Sequence, residues 1–177
     1  MSTSVTPAEI EAAIRNVPDF PKPGIQFKDI TPLLANARLF AGAIDLLTQR
    51  FSPGMVDAVV GIDARGFIFA AAAAVKLNAG FIPVRKKGKL PFTTLEQEYA
   101  LEYGNATVAV HTDALKPGAR ILLIDDLLAT GGTSAAAAAL VQKLGGKILE
   151  AGFLIELKFL NGRDKLAGLP IRSLVTY

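Results

Sequence analysis

Ile121-Leu122-Leu123-Ile124-Asp125-Asp126-Leu127-Leu128-Ala129-Thr130-Gly131-Gly132-Thr133 opens with four apolar residues, sets two adjacent carboxylates behind them, and closes on small residues and hydroxyls. Apolar residues without polar alternation describe a strand buried on both faces. From about Gly132 to Leu144 the chain is rich in good helix formers, and Gly145-Gly146 ends the run. The segment therefore reads as a buried strand, a tight loop and a helix.

The same pattern recurs to either side. Ala58-Val59-Val60-Gly61-Ile62 reads as a buried strand, Gly66 to Leu77 as a helix, and Phe81-Ile82-Pro83-Val84 as another strand. Further on, Lys147 to Leu157 and Ile171 to Val175 read as strands again. Strands that are apolar throughout and separated by helices predict an α/β fold, with a mostly parallel twisted sheet flanked by helices. Between Lys86 and Ala119 the pattern turns polar, threonine-rich and aromatic. There Tyr99, Leu101, Tyr103 and the run Thr107 to Val110 predict antiparallel strands, a small hood with a flexible loop inserted into the sheet.

Toward the N-terminus, Thr6-Pro7-Ala8-Glu9 is a capping box, and Ile10, Ala13, Ile14 and Val17 follow at helical spacing. A helix from about Pro7 to Asn16 is expected. The proline-dense stretch 18–24 must be extended or turned, leading into a short strand or loop around Ile25 to Leu33. Asn36 can cap a second helix running to about Arg50, which Ser52-Pro53-Gly54 breaks. A length of 177 residues predicts one domain, residues 1–177.

With no cysteine, the chain can form neither a disulfide framework, nor a thiolate zinc site, nor a thiol nucleophile. A reducing cytoplasm fits. The first ten residues lack a basic segment followed by an apolar one, so no secretory signal is expected. The longest apolar run, Phe67 to Val75, falls far short of the roughly 20 residues a membrane span needs, so no membrane is expected as a partner. The formal net charge is +3, and four of the nineteen cations crowd into Arg85, Lys86, Lys87 and Lys89. A tight cluster on one loop suits a small polyanion, whereas a nucleic acid calls for a broad basic face. The plain alternative is a solvated basic loop.

In open α/β sheets ligands sit beyond the carboxyl ends of the strands. There the sequence places Asp63-Ala64-Arg65-Gly66, Arg85-Lys86, Asp125-Asp126 and Glu156, four charged groups expected at one edge. After Asp126 a small-residue loop opens a helix whose free N–H groups and positive dipole end favour an anion. Glycines let the backbone close on phosphate oxygens, and Thr130 and Thr133 add hydroxyl donors. The carboxylates would repel that phosphate. They suit sugar hydroxyls, or a metal held through water. The plain alternative for Asp125-Asp126 is a helix-capping turn. Neither G-x-x-x-x-G-K-[ST] nor G-x-G-x-x-G occurs, which excludes the common nucleotide loops.

Residues 121–133 resemble the signature of the type I phosphoribosyltransferases: a short apolar strand, two acidic residues and a loop ending Thr-Gly-Gly-Thr. Five further blocks resemble the adenine branch of that family. They are Phe20-Pro21-Lys22-Pro23-Gly24-Ile25, Phe27-Lys28-Asp29-Ile30, Asp63-Ala64-Arg65-Gly66-Phe67, Arg85-Lys86-Lys87-Gly88-Lys89-Leu90-Pro91 and Tyr99-Ala100-Leu101-Glu102-Tyr103-Gly104. The resemblance implies transfer of a phosphoribosyl group from 5-phosphoribosyl 1-pyrophosphate (PRPP) to adenine, with Mg2+ as cofactor and a homodimer as the assembly.

It also implies roles. Ala129, Thr130, Gly131, Gly132 and Thr133 would hold the 5-phosphate, and Asp125 and Asp126 the ribose hydroxyls. Asp63, Ala64 and Arg65 would form the pyrophosphate loop, with a strained peptide ahead of Arg65. Arg85, Lys86, Lys87 and Lys89 would form the mobile basic loop that meets the pyrophosphate. Glu102 would exchange a proton with N7 of the purine. Phe27 and Leu157 would sandwich the base, with the backbone of Gln26 and Lys28 reading its edge. No dedicated protein metal site is implied. Two rivals stand beside this reading: transfer to another base, and a non-catalytic regulator that binds nucleic acid.

Overall fold

Thr6 starts the first helix by reciprocal capping: its hydroxyl accepts from the Glu9 N–H at 3.3 Å, and the Glu9 carboxylate accepts from the Thr6 N–H at 2.9 Å. The computed structural model describes residues 4–100 and 104–177. Contacts divide the chain into two units, residues 1–46 and 47–177. In the first, α1 (Pro7–Ala12) stops well short of Asn16. The chain instead enters β1 (Arg15–Pro18), which pairs antiparallel with β2 (Gln26–Asp29). Asp19 at φ 58° and Gly24 at φ 87° shape the connection, and the Asp19 carboxylate accepts from the Gly24 N–H at 2.8 Å. A short helix α2 (Thr31–Leu34) follows. Next comes α3 (Ala37–Thr48), where the Asn36 side chain accepts from the Leu39 N–H at 3.1 Å, as a cap should.

The second unit is built on β3 (Ala58–Ile62), α4 (Gly66–Leu77), β4 (Gly80–Lys86), β5 (Thr94–Ala100), β6 (Asn105–His111), β7 (Arg120–Leu128), α5 (Gly132–Lys143), β8 (Lys147–Glu156) and β9 (Ile171–Thr176). Seven strands form one sheet in the order β5-β6-β4-β3-β7-β8-β9. The β4-β3-β7-β8-β9 neighbours pair in parallel, while β6 joins β4 and β5 antiparallel. The architecture is α/β with a mostly parallel sheet. The predicted hood is a hairpin that continues the sheet beyond β4.

Every residue of β3 is buried, as are Ile121 to Ile124, because helices cover this part of the sheet. Phe69 and Ala73 of α4, Ala137 and Leu140 of α5, and Phe153 and Leu154 of β8 complete a core from which water is excluded. At the amino ends of β3 and β7 the Asp57 carboxylate accepts from the Arg120 backbone N–H at 2.7 Å and from its guanidinium at 2.8 and 3.0 Å. Those bonds hold the Asp57 carboxyl at a pKa of about 2. Among the described residues no helix is long and apolar enough to cross a membrane.

Candidate active site

The parallel register brings the carboxyl ends of β3, β4, β7 and β8 to one edge. Asp63 directly follows β3, and the Asp63–Ala64 peptide, just ahead of Arg65, is cis. Arg85, near the end of β4, donates through Nε to Asp63 Oδ2 at 2.9 Å and through Nη1 to the Lys89 carbonyl at 3.0 Å. Arg65 Nε lies 3.0 Å from Asp126 Oδ2. Three of the four charged groups expected at this edge are thus joined. Lys86 and Lys89 are exposed, and Lys87 pairs with Glu96 on β5 at 2.7 Å.

The fourth group, Glu156 at the carboxyl end of β8, has partners of its own. Glu156 is buried with its carboxylate accepting from Arg163 Nε and Nη2 at 2.6 Å each and from the Ser173 hydroxyl at 2.6 Å. Those donors, Arg163 first, hold its pKa below the usual carboxylate range despite the burial. Glu156 is a structural anion here, because its oxygens are occupied by fixed partners.

Asp125 and Asp126 lie within β7, which runs on to Leu128 instead of ending at Ile124. Leu127 and Leu128 sustain the ladder by pairing with Ile155 and Glu156 of β8. Both carboxylates are buried, and Asp125 Oδ1 accepts from the Asp126 N–H at 2.9 Å. Burial pushes the Asp125 carboxyl well above its ordinary range, and the neighbouring Asp126 charge pushes the same way. Burial raises Asp126 as well, against the pull of the Arg65 guanidinium. Two buried acids adjacent in the chain, one of them paired with Arg65, form a site suited to groups that donate hydrogen bonds.

Gly131 stands at the head of α5 with φ 77°, a left-handed conformation that costs a side-chain-bearing residue dearly, and no side chain caps the helix. The first turn of α5 therefore leaves backbone N–H groups available to an outside acceptor. Asp125, Ala129, Thr130, Gly131, Gly132 and Thr133 line one small cavity of about 70 Å³. A carboxylate and a row of amide and hydroxyl donors therefore share a single concavity. At the head of α4, a Cβ on Gly66 would lie 2.5 Å from Asp125 Oδ1 and 3.2 Å from its Cα. Only glycine lets α4 approach the carboxylate so closely.

Gly162 is the residue the sequence reading missed. A Cβ there would run into the Ala129 carbonyl oxygen and sit 3.0 Å from the Gly131 nitrogen, while a Cβ on Gly131 would run into the Gly162 carbonyl. The two backbones touch. No local pattern signals such a contact, since 30 residues lie between the two positions.

Among the residues implied for the base, Gln26, Phe27 and Lys28 belong to β2 of the first unit, where Phe27 packs edge-on against Phe20 with ring centroids 5.1 Å apart. Leu157 belongs to the second unit, is half-buried, and donates its N–H to the Leu128 carbonyl at 2.9 Å. Glu102 lies outside the described residues. Its neighbour Tyr99 is half-buried on β5, and a Cβ on Gly132 would lie 3.1 Å from the Tyr99 ring, so the hood closes against the head of α5. Among the described residues no group of three or more His, Cys, Asp or Glu side chains could hold a metal ion.

Residues 29–167 match the phosphoribosyl transferase domain family. Over 173 residues, 98% of this chain and 100% of the relative, the chain is 53% identical to an adenine phosphoribosyltransferase of Chloroflexus aurantiacus. The crystal structure of adenine phosphoribosyltransferase from Thermoanaerobacter pseudethanolicus superposes with a TM-score of 0.93 at 49% identity, covering 97% of this chain and 100% of that one. The Saccharomyces cerevisiae enzyme, solved in complex with an imino-altritol bisphosphate and adenine, superposes with a TM-score of 0.89 at 38% identity, over 95% and 97% of the two chains. With such identity over nearly full length, and a loop of amide donors set beside paired carboxylates, this chain belongs to the adenine phosphoribosyltransferase family of phosphoribosyl transferases.

Proposed function

We propose that the chain transfers the 5-phosphoribosyl group of PRPP to N9 of adenine, giving AMP and pyrophosphate in purine salvage. One observation carries the reading: the cavity that Asp125 shares with the donors from Ala129 to Thr133. Its donors suit a terminal phosphate and its carboxylate suits sugar alcohols, so the two ends of one phosphorylated pentose are satisfied together. Arg65 and Arg85 then meet the pyrophosphate, with Asp63, Ala64, Lys86 and Lys89 beside them. Their charge favours departure of pyrophosphate from C1 of the ribose as positive charge grows on the sugar.

Glu102 holds or releases the proton at N7 of the purine, a role that a carboxyl fills when apolar surroundings raise its pKa toward neutrality. Phe27 and Leu157 take the two faces of the base, and the backbone of Gln26 and Lys28 reads its edge. Closure of the basic loop excludes water that would otherwise attack the sugar.

Magnesium suits the donor set. Asp125 and Asp126 are hard oxygen donors, and this ion keeps most of its water and phosphate ligands and takes few from protein. When bound it neutralises charge on the pyrophosphate. The chain acts as one domain, a reading supported by a family match that runs through the junction at residues 46 and 47. We place it in the cytoplasm as a homodimer.

A purine panel with PRPP and magnesium, read as pyrophosphate release, tests the proposal. Adenine is expected to turn over far faster than hypoxanthine, guanine or xanthine. Preference for a 6-oxopurine, or for orotate, would contradict it.

A further inference from the structure

Glu156, Arg163 and Ser173 are bonded to one another, and Arg163 adjoins a backbone that touches the phosphate loop. The two Glu156 oxygens accept a bidentate fork from Arg163 at 2.6 Å, and Ser173 of β9 adds a third bond at 2.6 Å. Such a fork fixes the guanidinium in a plane, and so fixes the backbone that carries it. Arg163 directly follows Gly162, whose main chain abuts the Ala129 carbonyl and the Gly131 nitrogen. On the far side of the same 3-10 turn, Gly162–Leu166, Leu166 is sunk in the hydrophobic core. The loop has no side-chain cap of its own at Gly131, so its placement depends on what it touches.

We infer that Glu156, Arg163 and Ser173 form a positioning clamp that seats Gly162 against Ala129–Gly131 and thereby aims the loop's amide donors at the sugar phosphate. The inference rests on the phosphoribosyl reading above. None of the three clamp residues touches the ligand in this account; they act through Gly162. Displacing a bound group by about 1 Å costs on the order of a hundredfold in rate, so a small shift of the Gly162 backbone is enough to be measured.

The test is steady-state kinetics on the full chain, with calorimetric affinities for ribose 5-phosphate and, separately, for pyrophosphate. Arg163→Met keeps the stem and removes the fork. It is expected to weaken ribose 5-phosphate binding and raise KM for PRPP by about tenfold or more, with adenine KM and pyrophosphate affinity unchanged. Ser173→Ala should move the same two quantities by about threefold, and Arg163→Lys should recover part of the loss. If Arg163→Met fails to fold, Ser173→Ala carries the same comparison, since it deletes one hydroxyl.

Variants that melt at a lower temperature while binding ribose 5-phosphate as tightly as the parent would overturn the clamp alone. So would an equal loss for every ligand. A parent chain that binds no ribose 5-phosphate would overturn the phosphoribosyl reading and the clamp with it.

Discussion

Arg65 Nε and Asp126 Oδ2 stand 3.0 Å apart, so the cation that follows β3 is tied to a buried carboxylate on β7. Arg65→Ala is therefore expected to do two separable things. The kcat/KM for PRPP should fall by about 10²–10³, the scale for losing one preorganised electrostatic group. The melting temperature should also fall, because Asp126 is left buried without its counter-charge. Adding Asp126→Asn should restore the melting temperature but not the activity, as thermal melts beside kinetics will show.

Asp125 is a carboxyl that folding makes harder to ionise. A group whose pKa is raised on folding takes up a proton as the chain folds, so stability falls as pH rises from the ordinary Asp range toward the folded value. Above that value the full deficit is present. Asp125→Asn removes it while keeping an oxygen for the Asp126 N–H. The variant should melt higher than the parent at pH 7, the advantage should vanish by about pH 4, and PRPP turnover should be lost. Melting curves across pH check the sign.

Glu156 has the opposite sign. Its carboxyl is held below the ordinary value of 4.5 by Arg163 first and then by Ser173. Its contribution is present above that pH and is lost as pH falls through the lowered folded value. The acid midpoint of unfolding should accordingly move to higher pH in Glu156→Gln, as denaturation followed by circular dichroism would show.

Gly61 faces α4, where a Cβ would lie 2.7 Å from the Ala70 Cβ and 2.9 Å from the Phe81 ring. Gly61→Ala should cost about 1–3 kcal/mol by overpacking. Ala70→Gly alone should cost about 1 kcal/mol through lost helix propensity. The double variant should be less destabilised than their sum, and a double-mutant cycle by urea denaturation reads the coupling.

Much of this molecule was legible in the sequence because its governing forces are local. The buried strand Ala58–Ile62 and the helix head at Gly66 fall where apolar runs and glycines place them, as does the head of α5 at Gly132. The errors have tertiary causes. Helical spacing in Ala13, Ile14 and Val17 argued for a helix through Asn16, but pairing of Arg15–Pro18 with Gln26–Asp29 won over propensity. The strand carrying Asp125 was read too short, since two carboxylates look like a strand's end unless Leu127 and Leu128 are known to pair with β8. Nothing beside Glu156 in the sequence signals that its carboxylate is already bonded, since Arg163 and Ser173 lie 7 and 17 positions further on. Gly162 gave no signal at all, since backbone touching backbone leaves no pattern in side chains.

The proposed reaction gives Glu102 the proton at N7 of the purine. Glu102→Gln should lower kcat by about 10²–10⁴, the usual scale for a general acid or base, with the affinity for PRPP nearly unchanged. Unaltered turnover in that variant would remove Glu102 from the chemistry.

The central claim is that residues 125–133 grip the phosphorylated pentose. Titrating isotope-labelled protein with ribose 5-phosphate and following its backbone amides tests this most directly. Thr130, Gly131, Gly132 and Thr133 are expected to shift most and saturate together, with Asp125 and Asp126 following. Saturable binding that leaves those amides unmoved while others shift would contradict it.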